Sequence, residues 1–90
     1  MEQKFELGQV LVTQGAYEAL NLKDAASCLV RHAKGDFGVV SEEDKALNEK
    51  AIESGGDRIL SAYRDGNDVK FWIITECDRS ATTILLPSEY

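Results

Sequence analysis

At 90 residues, with 43% hydrophobic and 29% charged side chains, the chain is long enough for one modest core, too short for separate catalytic and regulatory halves, and globular rather than disordered in composition. Its formal net charge of −6 at pH 7 speaks against a protein that grips a nucleic acid backbone, since phosphate binding draws on clustered lysine and arginine. No stretch approaches the roughly 18 apolar residues of a membrane span, and MEQKFELGQV has no apolar run of signal-peptide length, so a cytoplasmic location without a membrane partner is expected.

Val10-Leu11-Val12-Thr13 is rich in β-branched residues and follows Gly8, so Phe5 to Thr13 reads as a first strand. Thr13 can cap a short helix through Ala16 to Leu20. Asp24 can cap a second over Ala25 to Lys34, where Ala25, Leu29 and Ala33 fall four apart on one face and Gly35 supplies the stop. Ser41-Glu42-Glu43-Asp44 resembles a capping box with Asp in the Glu position, and its acids suit the positive end of a helix dipole. A third helix should run to about Ser54, with Leu47, Ala51 and Ile52 as its apolar stripe and Gly55-Gly56 as its end. This part of the chain holds the charge: Asp36 to Asp57 carry seven acids against Lys45 and Lys50, which is −5 of the −6. Such a face is either simply solvated or turned toward a basic protein.

The period then changes to two. Ile59 to Tyr63, Val69 to Glu76 and Ala81 to Leu86 are three strands joined by short turns, Asp65-Gly66-Asn67-Asp68 and Cys77-Asp78-Arg79-Ser80, and so should form an antiparallel meander. In the middle strand Val69, Phe71, Ile73 and Thr75 make the better core face. Trp72 and Ile74 lie on the other, which needs a helix, a loop or a second copy of the chain as cover. Pro87 ends the last strand. Cys28 and Cys77 lack the spacing of zinc or redox motifs and read as reduced and buried, with a disulfide between them as the lesser alternative. The fold class expected for residues 1–90 is a single α+β domain: an N-terminal strand, two to three helices, then a three-stranded antiparallel meander.

Several segments carry a family resemblance. They are Leu7-Gly8-Gln9-Val10, Gly15-Ala16, Arg31-His32, Gly35-Asp36-Phe37-Gly38, Glu43-Asp44 with Asn48, Arg58 to Tyr63, Ile74-Thr75-Glu76, Asp78-Arg79-Ser80, Thr82 to Pro87 and Glu89-Tyr90. Through them the chain resembles, almost end to end, a family of small uncharacterised bacterial proteins carried on plasmids and integrative elements. In that family the position of Gln14 is often Pro and that of Phe37 often Trp, departures that touch a turn and packing. The resemblance implies a mobile-element context and supplies no established activity.

Three constellations can carry chemistry. His32 and Asp36, at and just beyond a helix end, can meet as an oriented base or as metal ligands, or His32 can merely close the last turn. Asp44 and Asn48 are neighbours on one helix face, where Asp44 serves the cap and Asn48 can tie the helix to a loop. Glu76, Asp78, Arg79, Thr82 and Thr83 converge on one turn and strand start, where Arg79 can clamp a carboxylate or phosphate, or pair with Glu76 or Asp78 and fix the turn. His32, Asp36, Glu76, Asp78, Arg79, Thr82 and Thr83 are therefore the candidate binding residues. If Gly35 and the Glu76–Arg79 turn share an edge of the sheet, they form one polar site. No catalytic set, metal site or cofactor is expected; with a lone His there is no ligand spacing.

The leading functional expectation is a non-enzymatic accessory or protein-interaction module of a mobile element, using the acidic helix or the Trp72 face. One version is an antagonist of a host defence system that presents carboxylates in place of DNA phosphates. A protein partner is expected, and a homodimer is one cover for the Trp72 face. The alternative is a small nuclease, because the order of strand, helices and meander resembles that of mRNA-cleaving toxins, at the level of fold alone. A pI of about 4.6 argues against the basic groove such an enzyme needs.

Overall fold

The computed structural model describes residues 3–90. The elements in order are β1 (Gln9–Val12), α1 (Gln14–Ala19), α2 (Leu22–Ala33), α3 (Glu42–Ser54), β2 (Ile59–Arg64), β3 (Lys70–Thr75), β4 (Ala81–Leu85) and a 3-10 turn at Pro87–Glu89. The fold is α+β, with β2, β3 and β4 forming the expected antiparallel meander. The first strand is shorter than the sequence suggests, because Gly8 at φ +64 breaks the extended run and a Cβ there would lie 2.3 Å from the Ser80 carbonyl oxygen. That close approach lets β1 pair in parallel with β4, giving the order β1-β4-β3-β2.

Local chemistry sets the helix ends. The Thr13 hydroxyl accepts from the Ala16 N–H at 3.2 Å to cap α1 and donates to Glu89 Oε1 at 2.6 Å. The Glu89 carboxylate also takes the N–H groups of Gly15 and Leu86, so the end of the chain is tied to the start of α1. Helix α2 begins earlier than expected. Asn21, not Asp24, is its cap, with Oδ1 accepting from the N–H of Lys23 and Asp24. Asp24 instead accepts the Gly66 N–H at 2.7 Å and fastens α2 to the β2–β3 turn. Ser41 caps α3 through the Asp44 N–H, and Gly55 at φ +75 ends it.

One face of the sheet carries the core. Tyr63, Phe71, Ile73 and Ile84 pack under Ala16, Leu20, Ala25 and Cys28, with Leu29 and Val69 at the margin. Each large apolar side chain buried here contributes about 2 kcal/mol. Ile59, at the far end of the same face, joins Phe37 and Ala51 with Phe5, Val40 and Ile52 around them. Of the stripe expected for α3, Ala51 and Ile52 pack inward but Leu47 does not. Leu47 is 59% exposed while Asn48 is buried, because α3 lies along the edge of β2, where the backbone of Leu60 requires a donor and an acceptor. On the opposite sheet face Trp72 is half-buried, edge-on to Tyr90 at 5.7 Å, while the Arg58 guanidinium lies 5.9 Å from the Tyr90 ring. Cys28 is buried as expected. Cys77 is exposed, since the inner side of its turn is filled by Arg79.

Candidate functional site

His32 is fully buried, and so are Ser61, Thr75 and Thr82. The imidazole bridges Ser61 Oγ, 2.5 Å from Nδ1, and Thr75 Oγ1, 2.8 Å from Nε2. Thr75 lies 2.7 Å from Thr82, whose hydroxyl donates to the Leu7 carbonyl at 2.7 Å. That last bond fixes the direction of the row. With its proton committed to Leu7, Thr82 accepts from Thr75, Thr75 accepts from Nε2–H, and Nδ1 accepts from the Ser61 hydroxyl. The imidazole is thus neutral, and burial lowers its pKa from 6.5 to about 4. Phe5 seals it with an edge-to-face contact at 5.2 Å. The arrangement joins α2, all three meander strands and the segment before β1, and it gives a substrate no way in.

Asp36 is directed elsewhere. Its carboxylate takes both Nε and an Nη of Arg31, at 2.8 and 3.2 Å, and the Gly38 N–H at 3.3 Å. The Arg31 hydrogen bond, more than any other influence, holds this carboxyl below its usual range. Arg31 in turn covers the Tyr63 ring at 4.9 Å, and Tyr63 donates to the Asp36 carbonyl. His32 and Asp36 therefore do not pair through their side chains.

Arg79 makes no ion pair with Glu76, Asp78 or any other acid among the described residues. Its guanidinium donates to four carbonyls, those of Ala51, Asp57, Glu76 and Cys77, at 2.7 to 3.1 Å. The residue sits at φ +61, where the hairpin turn needs a left-handed residue, and the four carbonyls hold it there. Asp78 accepts the Ser80 N–H at 3.0 Å, and its carboxyl is lowered chiefly by the Ser80 side chain. Thr83 faces the other side of the sheet, beside Ile74. Of the seven candidate residues, the structure links His32 to Thr82 through Thr75 and groups Glu76, Asp78 and Arg79 in one turn. Phe5 lies between the two sets, 5.2 Å from the His32 ring and 6.0 Å from the Arg79 guanidinium carbon. Ser61 and Thr75 escape the sequence as site residues; their signal is the two-residue period that places both among the core side chains.

What remains open lies along α3. Glu42, Glu43, Glu49, Glu53 and Asp57 are exposed, and neither they nor Asp44 form an ion pair among the described residues, although Lys45 and Lys50 share the helix. Beside them a depression of about 260 Å³ is lined by Asp44, Leu47, Asn48, Asp57, Arg58 and Leu60. Leu47 and Leu60 offer apolar surface to the stem of a lysine or arginine, and the carboxylates of Asp44 and Asp57 outnumber the one cation of the lining, Arg58. Among the described residues no group of three or more His, Cys, Asp or Glu side chains is placed to hold a metal ion, and no helix is long and apolar enough to cross a membrane.

Comparison with family models, curated proteins and solved structures finds no match to this chain.

Proposed function

We propose that the protein is a non-enzymatic accessory module of a mobile genetic element, and that it binds a basic protein through the outer face of α3. One observation carries this reading: the acids of α3 and Asp57 have no ion-pair partner among the described residues, and two of them, Asp44 and Asp57, line a depression together with Leu47 and Leu60. Polar groups used for folding are elsewhere bonded within the chain, as His32, Asp36 and Arg79 are. Uncompensated carboxylates on a rigid helix lower stability slightly through mutual repulsion and raise the rate at which a positive partner arrives. A row of carboxylates on one helix also suits the finer reading, an antagonist that offers a host defence protein a substitute for DNA phosphates.

The test is capture from host extract with wild type and with the double variant Asp44→Asn, Asp57→Asn, which removes two charges and keeps side-chain size. The wild type should retain a basic protein that is released as salt rises through about 0.3 M, where exposed charges are strongly screened. The variant should retain several-fold less. Equal retention by both would remove α3 as the binding face.

A further inference from the structure

The two edges of the sheet are finished differently. At β2 every outward backbone group of Leu60 and Ala62 is used: Asn48 takes both groups of Leu60, the Phe37 carbonyl accepts the Ala62 N–H, and the Val39 N–H donates to the Ala62 carbonyl. Gly38 permits this approach, at φ +72, with no room for a Cβ against the Ala62 carbonyl. At β1 nothing of the kind occurs among the described residues. Gln9 and Thr13 donate inward to Ser80 and Ile84 of the β4 side, so by alternation the N–H and C=O of Val10 and Val12 point away from the sheet. Val10, Leu11 and Val12 are 44, 41 and 40% exposed. Open edges are usually guarded by a charge, a proline or a bulge. Here Leu7 to Tyr17 holds no charged residue and no proline, in a chain of net charge −6.

We propose that β1 pairs antiparallel with β1 of a second copy of this chain, across a two-fold axis at Leu11, to make one continuous eight-stranded sheet. The groups that point outward set the register. Val10 faces Val12 of the partner and Val12 faces Val10 of the partner, so both pairs exchange two backbone hydrogen bonds, while the two copies of Leu11 meet at the axis as a non-hydrogen-bonded pair. Charge favours a second copy as the occupant. A strand with no charged residue of its own meets itself without like charges directly opposed: the Glu89 carboxylate lies past its end, at Thr13, and the acids of α3 lie beyond β2, at the two far ends of the joined sheet. A pairing of three residues from each strand, joined by four backbone hydrogen bonds, is small, which places the affinity in the micromolar range typical of short, transient contacts. This inference does not depend on the role given to α3.

Sedimentation equilibrium from about 5 to 500 µM, a range that brackets such an affinity, should show a concentration-dependent dimer. Val10→Lys should weaken it at least tenfold without altering the circular dichroism, whereas Val39→Lys beside the closed edge should leave it unchanged. The register is read by cross-linking in a Cys77→Ser background. Leu11→Cys should form an intermolecular disulfide with diamide, because non-hydrogen-bonded antiparallel partners stand about 4.5 Å apart at Cα, within disulfide reach. Val10→Cys should not, since its own copy lies on a diagonal. A monomer at every concentration, a dimer indifferent to Val10→Lys, or faster cross-linking at Val10 than at Leu11 would overturn the proposal. Loss of the dimer with capture of a basic protein intact would leave the role of α3 standing.

Discussion

Asn48 stands beside Leu60 as a neighbouring strand would: its Nδ2 donates to the Leu60 carbonyl at 2.7 Å and its Oδ1 accepts the Leu60 N–H at 3.0 Å. One helical side chain thereby closes the edge of β2 and fixes α3 against the sheet. The acidic face of α3 is turned outward because Asn48 and Ala51 are turned in.

Asn48→Ala leaves two backbone groups without partners in a partly buried place, at a cost of about 2–4 kcal/mol. Asn48→Asp keeps the acceptor for the Leu60 N–H and turns a carboxylate oxygen toward the Leu60 carbonyl, so it should not restore stability. Urea unfolding of the three proteins checks the order, and equal midpoints for wild type and Asn48→Ala would remove the edge-closing role.

His32 is the only histidine, so its titration can be followed by NMR without assignment by mutation. Its folded pKa, about 4, lies below the ordinary 6.5, so the unfolded chain binds the extra proton first as pH falls. Its contribution is fully present above pH 6.5 and is lost as pH drops from 6.5 toward 4, by about 3 kcal/mol. Asp36, whose carboxyl is also held low, adds a loss of the same sign in more acidic solution. The ring nitrogen shifts should report a proton on Nε2 at pH 7. A midpoint near 6.5 in the folded protein would contradict the sealed, neutral imidazole.

Arg79→Ala should lower stability by about 2–4 kcal/mol, because four carbonyls lose their common donor. Arg79→Gly should fall between wild type and Arg79→Ala, since glycine relieves the left-handed backbone at φ +61 but replaces none of the bonds. Thermal unfolding separates the three. Capture of a partner by the folded fraction should be unchanged in both variants; a loss of capture at undiminished stability would instead make Arg79 a ligand clamp.

The meander is legible in the sequence because alternation and turn residues agree from Ile59 to Leu86, and both turns close with a left-handed residue, Asp68 and Arg79. Thr75 and Thr82 also fall on the core face by their period. Their link to His32 is not legible, since it depends on how α2 lies across the sheet, with 43 residues separating His32 from Thr75. The parallel pairing of β1 with β4 is hidden for the same reason: it joins residues about seventy positions apart, and nothing local encodes it. Asn48 is legible in part. Its tie to a neighbouring segment is expected, but the neighbour is the edge of β2 and not a loop, and nothing in the helix pattern names that partner. Arg79 reads as a clamp or as the partner of Glu76 or Asp78, and its actual partners escape because they are backbone carbonyls, which every residue possesses.

Capture from host extract, scored for protein and RNA together, tests the role of α3 most directly. Wild type and the Asp44→Asn, Asp57→Asn variant are compared at low and at about 0.3 M salt, where the Debye length falls below that of physiological solution. The expected result is a basic protein held by wild type at low salt, released at high salt and largely lost in the variant, with no RNA retained by either. Salt-sensitive retention of RNA, or a protein held equally by wild type and variant, would contradict it.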